Sequence, residues 1–508
     1  MKAGRFIVAL ICMCSSAVVK AQNITYSEIE KADGRNLNFE ILGNFSGNYL
    51  VYKNLNKRQD ITIYNNDMTI KDNIKLDFIS DKTNNIDFVT YPNAFIMVWQ
   101  FQKGNVFYCK AAKMDGNGQL IGTVQDLDTT KLGFFSNSVY YHFTWSEDKK
   151  KLLLYKTQNK NDDFNLTTKV YNDQLILLDS SRKLLSYNNR REDFGELQID
   201  NAGNIIFFKV KENAREEYIN TLALHFKKLY NDTLFTTAIP LDDRLIQEPN
   251  IKIDNLNAHY VINTFLYKKN NGNVEGLFTA VINQSNFTIE NKAINIFDDS
   301  VRSKLSGKPD WRSAFDDFQL RNIILRKDGG FIAITEEYYR RRRFGSGFDD
   351  RYYYRNPYNQ FYASPSDYYL YNRGYYGYYR PYNDGSNRDI IYNYNDVINF
   401  SFNKNLQMQW NSIINKTTSD VETDNFLSFA NMNAGAEIYF LFLQKDNNRQ
   451  ILSCQALQAD GTIIRYATLK SRENGYNFMP RLARQTGYRQ MIVPCTVRNN
   501  IAFAKIDF

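Results

Sequence analysis

The chain has 508 residues, with 63 Lys and Arg against 55 Asp and Glu, for a formal net charge of +8. That length is too long for one ordinary compact core, and so mild a basic excess excludes a strongly electrostatic nucleic-acid binder. Five cysteines, two of them at positions 12 and 14, exclude a disulfide framework.

Residues 1–21 read as a secretory signal. Lys2 and Arg5 precede an apolar stretch, Phe6 to Met13, that is too short to span a membrane. Val19-Lys20-Ala21 places a cleavage point before Gln22, and the loss of Lys2, Arg5 and Lys20 takes the net charge from +8 to +5. A lipid anchor on Cys14 is disfavoured, because Ile11-Cys12-Met13 lacks the small residue expected ahead of the cysteine. No later stretch is apolar for long enough to form a transmembrane helix.

The mature chain, 22–508, is expected to be one all-β domain. Short runs rich in Ile, Val, Leu, Phe and Tyr alternate with Asn/Asp/Gly/Lys turns, and the pattern recurs about every 50 residues. A spare strand, "NITYSEI", comes first. Units then start near Asn36, Asn85, Val139, the "GELQI" at 195–199, Ile246, Phe315, the "FLSFA" at 426–430 and Tyr476. Each has a first strand, a turn, a strongly apolar second strand, a polar loop, a third strand, a tight hairpin and a fourth strand. The last unit offers three strands, "MPRLA", "MIVPCTV" and "IAFAKIDF", so the spare strand is expected to complete it. This is a β-propeller of eight four-stranded blades, with seven as the alternative if one weak unit is misread. The evenly apolar second strands, such as "AFIMVW" and "IYFLFL", suit strands covered on both faces. The terminal Phe508 is the best argument for an outer-membrane barrel, whose wall would instead alternate. Cys454 and Cys495 fall in neighbouring units, where one bridge and two buried thiols are both open readings.

In unit six the loop between the second and third strands is replaced by a Tyr/Arg-rich insertion over 338–388. From Glu337 to Ser386 it holds 15 of the 36 tyrosines and eight arginines. With many Gly and Pro and few aliphatic residues it is expected to be flexible and to build no core of its own. Tyr and Arg are nonetheless suited to adaptable binding surfaces. The candidate binding residues are Tyr338, Tyr339, Arg340, Arg341, Arg342, Arg343, Tyr352, Tyr353, Tyr354, Tyr368, Tyr369, Tyr375, Tyr376, Tyr378 and Tyr379. The corresponding loops elsewhere, such as "KNLNKRQD", "FQKGN" and "QKDNNRQ", all carry Lys or Arg, so one face of the disc is expected to be mildly basic.

The catalytic inventory is thin. His142, His225 and His259 lie in or beside predicted strands, and no two have metal-ligand spacing. "FGSGF" at 344–348 lacks the strand and helix of a nucleophile elbow. "MDGNGQ" at 114–119 and "DNAGN" at 200–204 fall where the repeat demands turns, which explains their Asp, Asn and Gly without calcium. Asp or Asn followed by Phe recurs just before the first strand, at Asp87, Asp193, Asp317, Asn425 and Asn477, and reads as blade architecture. Glu192, Glu196 and Asp316 are left unassigned. Trp99, Trp145, Trp311 and Trp410 read as core. No catalytic residue, metal or cofactor is expected.

The signal ending in "KAQ", the Asn/Lys/Ile/Tyr-rich composition and repeats such as "GELQIDNAGNIIFF" and "QLRNIILRKDGGFIAI" give the chain a resemblance. It is similar to exported propeller-like proteins of the Bacteroidota. The resemblance covers most of the mature chain and implies a cell-envelope location, in the periplasm or at the outer membrane. It supplies no catalytic residues. The expectation is a non-catalytic scaffold that binds envelope proteins, with an outer-membrane complex as a candidate partner and no nucleic acid. The alternative is a glycan-binding or glycoside-processing propeller with a central carboxylate-lined pocket.

Overall fold

A computed structural model of the chain describes residues 22–31, 37–55, 57–132, 141–160, 163–188, 190–212, 218–267, 273–305, 315–342, 390–421, 424–446, 449–469, 475–498 and 500–508. The molecule is a β-propeller built from successive antiparallel groups of strands. Leu37–Phe45, Asn48–Leu55, Arg58–Tyr64 and Ile70–Lys75 make the first group. Thr83–Thr90, Ala94–Lys103, Val106–Asp115 and Leu120–Lys131 make the second, and the order first-second-third-fourth repeats along the chain. Among the described residues there are seven hydrogen-bonded sheets, one of them nine-stranded. That sheet holds two consecutive groups joined by a single pair, Ile219 with Ile246. Counting it as two blades gives the eight units expected from the repeat, and counting sheets gives seven.

The spare strand completes the last group. Asn23–Tyr26 pairs antiparallel with Asn500–Asp507, from Asn23 opposite Asp507 to Tyr26 opposite Ala504. The core is distributed between groups rather than central. Leu50 and Ile61 of the first group pack with Met97 and Ala112 of the second. Val98 and Ala111 of the second pack with Leu152 and Leu154 of the third. Tyr49 and Val51 of the first pack with Ile492 and Phe503 of the last, which closes the ring. Six consecutive residues of a second strand, Phe95 to Gln100, are buried. Burial on both faces accounts for the loss of alternation, and each apolar side chain so buried contributes about 1.5–3 kcal/mol.

Four of the hairpins between third and fourth strands share one device. Asn65, Asp115, Asn172 and Asn403 each accept, through Oδ1, the backbone N–H groups two and four residues on. The residue three positions on is left-handed in every case: Gly118, but also Met68, Leu175 and Leu406. Those three side chains are buried, so burial offsets the strain of a positive φ. "MDGNGQ" is thus a turn, as its place in the repeat requires.

Several boundaries differ from expectation. The first strand of the seventh group is Phe429–Asn433, so "NMN" belongs to the strand and not to the turn. "MPRLA" is not a strand. Pro480–Leu482 forms a 3-10 turn between the short strands Asn477–Phe478 and Arg484–Gly487, because Pro480 has no N–H to give a ladder. In the fourth group the first strand is split into Glu192–Phe194 and Gln198–Ile199 around Gly195, where a Cβ would meet the Phe208 ring at 2.3 Å. The Asp/Asn-Phe pairs lie within the first strand at Asp87, Asp193 and Asn477, and Phe88, Phe194, Phe318 and Phe478 are all buried. Cys109, Cys454 and Cys495 are buried free thiols. No helix among the described residues is long and apolar enough to cross a membrane.

Candidate functional site

The antiparallel order puts all second-to-third hairpins and the links between groups on one face, and the other hairpins on the opposite face. The Tyr/Arg-rich insertion leaves from the first of these faces. Its flanking strands, Phe331–Arg342 and Ile390–Phe402, are among the longest in the molecule. Tyr338 and Tyr339 pair with Tyr394 and Asn393, and Arg340, Arg341 and Arg342 pair with Tyr392, Ile391 and Ile390. These five candidate residues therefore belong to a ladder rather than to a loose loop, because residues 390–394 supply a pairing strand. Arg343, Tyr352, Tyr353, Tyr354, Tyr368, Tyr369, Tyr375, Tyr376, Tyr378 and Tyr379 lie outside the described residues.

A third strand supports this extension. Thr418–Val421 pairs with Ile391 to Tyr394 on the side away from Tyr338. The sequence "KTTSD" gives no strand signal, since it has no apolar alternation. Beneath the three strands sits a small buried cluster of Tyr338, Tyr392, Tyr394 and Leu427. Tyr338 and Tyr394 are 4.6 Å apart between ring centroids, and the Arg321 guanidinium lies 5.6 and 5.3 Å from those centroids. Tyr338 is thus a foundation and not a displayed contact residue.

Charge fixes the cluster in place. The Glu336 carboxylate accepts from Arg321 Nε at 2.9 Å and from Ser428 Oγ at 2.7 Å, and Lys416 Nζ is 2.7 Å from it. Lys416 also donates to the Tyr394 carbonyl at 3.0 Å, as does Thr418 Oγ1 at 2.5 Å. Burial pushes the Lys416 ammonium down from its ordinary range, and the Glu336 carboxylate works against that. One step outward, Tyr394 Oη donates to Asp424 at 2.9 Å, and Arg481 of the last group donates to Asp424 at 2.7 Å. Burial would raise the Asp424 carboxyl, but Arg481 outweighs it and holds the group below its ordinary value. The extension is thereby tied to three consecutive groups. The sequence shows no signal for this, since Arg321, Glu336, Asp424 and Arg481 share no spacing.

Other hairpins of that face are shorter than expected. "KNLNKRQD" and "FQKGN" are mostly strand, for Asn48–Leu55 and Arg58–Tyr64 leave two residues between them, as do Ala94–Lys103 and Val106–Asp115. Some lysines there, and Lys169 of the third strand beside them, meet carboxylates from adjoining segments. Lys53 pairs with Glu30, Lys156 and Lys169 with Asp128, and Lys209 with Glu192. The expected basic character is largely neutralised where these pairs form.

The opposite face is cross-linked. Arg484 of the last group reaches past the first to Thr90 Oγ1 of the second at 3.2 Å, and Lys149 of the third donates to the Thr90 carbonyl at 2.7 Å. Asn255 of the fifth group donates to Glu147 of the third at 2.8 Å. Glu40, an inner-strand carboxylate of the kind a glycosidase would use, is 3.3 Å from Arg484.

The histidines have structural partners. His142 stacks on Tyr155, His225 Nδ1 lies 2.9 Å from Thr236 Oγ1, and His259 Nε2 is 2.6 Å from Glu290. No group of three His, Cys, Asp or Glu able to hold a metal occurs among the described residues. Trp99 is buried core, while Trp145 and Trp410 are half-buried. Trp311 lies outside the described residues.

No family model matches the chain, and no curated protein matches it. Solved structures with similar folds include prolyl oligopeptidase B from Galerina marginata, at 9% identity and a TM-score of 0.42. That match covers 91% of this chain and 55% of the oligopeptidase, so the chain spans about half the length of that protein. A polysaccharide lyase matches at 10% identity and a TM-score of 0.38, over 97% of this chain and 94% of the lyase. The β-propeller domain of the Trilobed protease from Pyrococcus furiosus matches at 10% identity and a TM-score of 0.34, over 87% of this chain and 98% of the domain.

Proposed function

We propose that the protein is a non-catalytic binding scaffold, exported to the bacterial cell envelope, that holds a protein partner on the face carrying the Tyr/Arg-rich insertion. One observation carries this reading. The strands flanking the insertion continue beyond the blade, gain a third strand, and stand on a buried charged foundation of Arg321, Glu336 and Lys416. Burying charges is costly, and a rigid base of this kind suits the presentation of a binding segment. Tyr and Arg supply flat contact area and charge-assisted hydrogen bonds to the partner. An outer-membrane complex is the partner class that the export signal favours.

The test is affinity purification of the tagged protein from detergent-solubilised envelopes. The full chain is compared with a variant in which residues 343–389 are replaced by a short Gly-containing turn. A stoichiometric partner that is lost with the segment supports the reading. Equal recovery of every associated protein with both forms overturns it.

A further inference from the structure

The last group is finished by residues from the far end of the chain. Ser27 N–H donates to the Phe503 carbonyl at 2.8 Å, and the Phe503 N–H returns a bond to Ser27 Oγ at 2.9 Å, across 476 positions. Glu30 N–H donates to the Ile501 carbonyl at 2.9 Å. The two sides of this contact differ in kind. Every residue from Ile501 to Ile506 is buried. In Asn23–Tyr26 none is: Asn23 is exposed and the other three are half-buried.

The outer segment is therefore held chiefly by its main chain, with two side-chain hooks besides Ser27 Oγ. Tyr26 stacks on Tyr476 at 4.2 Å. The Glu30 carboxylate meets Lys53 Nζ and Tyr64 Oη of the first group, and Lys53 Nζ lies 2.7 Å from Tyr64 Oη. Register is set by Ile24 opposite Ile506 and Tyr26 opposite Ala504, both packed on the cluster between the seventh and last groups. A short strand held by backbone bonds, with alternate side chains in shallow seats, is the composition of strand addition.

We propose that the edge of Asn500–Asp507 is a strand-acceptor site whose partner is the 22–31 segment of a second copy of this chain. The segment exchanges between copies, keeps the same antiparallel register, and docks Glu30 on the receiving copy's Lys53. The occupant is fixed by what is seated there: within one copy this edge already pairs with Asn23–Tyr26, so the same segment of a second copy meets the same register and the same Lys53. Exchange links two propellers without altering either face.

The probe is a fluorescent peptide of residues 22–31, added to protein lacking those residues. Saturable binding is expected, with about tenfold weaker binding for a Glu30→Ala peptide and none for a scrambled one. In the full chain, the labelled peptide should be taken up slowly, and concentrated protein held just below its melting temperature should yield dimers. A Thr25→Cys/Lys505→Cys variant, once oxidised, should do neither. A shortened protein that is folded yet ignores the peptide overturns the proposal. If the shortened protein does not fold, uptake by the full chain no faster than by the oxidised variant overturns it.

Discussion

Glu336 and Lys416 lie 2.7 Å apart, both with fully buried side chains, under the strands that carry the Tyr/Arg-rich insertion. Glu336 also holds Arg321 at 2.9 Å, so one carboxylate answers two buried cations. Glu336→Gln strands both cations, whereas Lys416→Met leaves the Arg321 pair intact. The first is expected to cost about 3–5 kcal/mol and the second clearly less. Urea unfolding of both variants measures this, and an equal cost would show that Lys416 is the dominant partner.

Burial, with the Lys209 ammonium adding to it, holds the His225 imidazole down at about 4. The unfolded chain binds a proton on this ring between pH 6.5 and 4 that the folded protein refuses. The stability it contributes is full above pH 6.5 and is lost as pH falls toward 4, by up to about 2 kcal/mol after solvent screening. His225→Gln should flatten the fall in unfolding free energy between pH 7 and 5. An unchanged slope would place the titration elsewhere.

Two glycines differ in what confronts them. A Cβ at Gly276 would stand 2.1 Å from the Asn295 carbonyl oxygen, in the backbone of the paired outer strand. At Gly195 it would meet the ring of half-buried Phe208, a side chain that can turn aside. Gly276→Ala is expected to lower the melting temperature more than Gly195→Ala, with a cost of about 1–3 kcal/mol for the former. A Phe208→Ala change should rescue Gly195→Ala alone.

Burial pushes all three thiols up, Cys454 to about 12. Native protein of residues 22–508 should react slowly with a thiol reagent at pH 8, and in denaturant it should release three equivalents. Fewer than three in denaturant without reductant would reveal a bridge.

What the sequence made legible follows from period. Second strands such as Ala94–Lys103 announce themselves because burial on both faces gives an unbroken apolar run. The closing strand was readable because the last unit lacked one. Elements without period were not. Thr418–Val421 looks like a loop, since its ladder is filled by polar residues on a protruding edge. Loop lengths were overestimated because lysines at strand ends read as solvent, although Lys53 is buried against Glu30. Ion pairs such as Asp424 with Arg481 join residues 57 positions apart, and nothing in either neighbourhood announces the other. The insertion was visible at once by composition, while its foundation was not: Arg321 and Glu336 lie in separate strands with no shared spacing.

The pairing of Asn23–Tyr26 with Asn500–Asp507 also has a meaning in time. A ribosome makes the first of these strands long before the second. Closure is the most non-local contact of a fold already slow through its topology. A chain released early leaves its opening strand without a seat, and the first group with one flank uncovered. Closure thereby protects both segments at once, and a protease that trims open edges would remove open copies and spare closed ones.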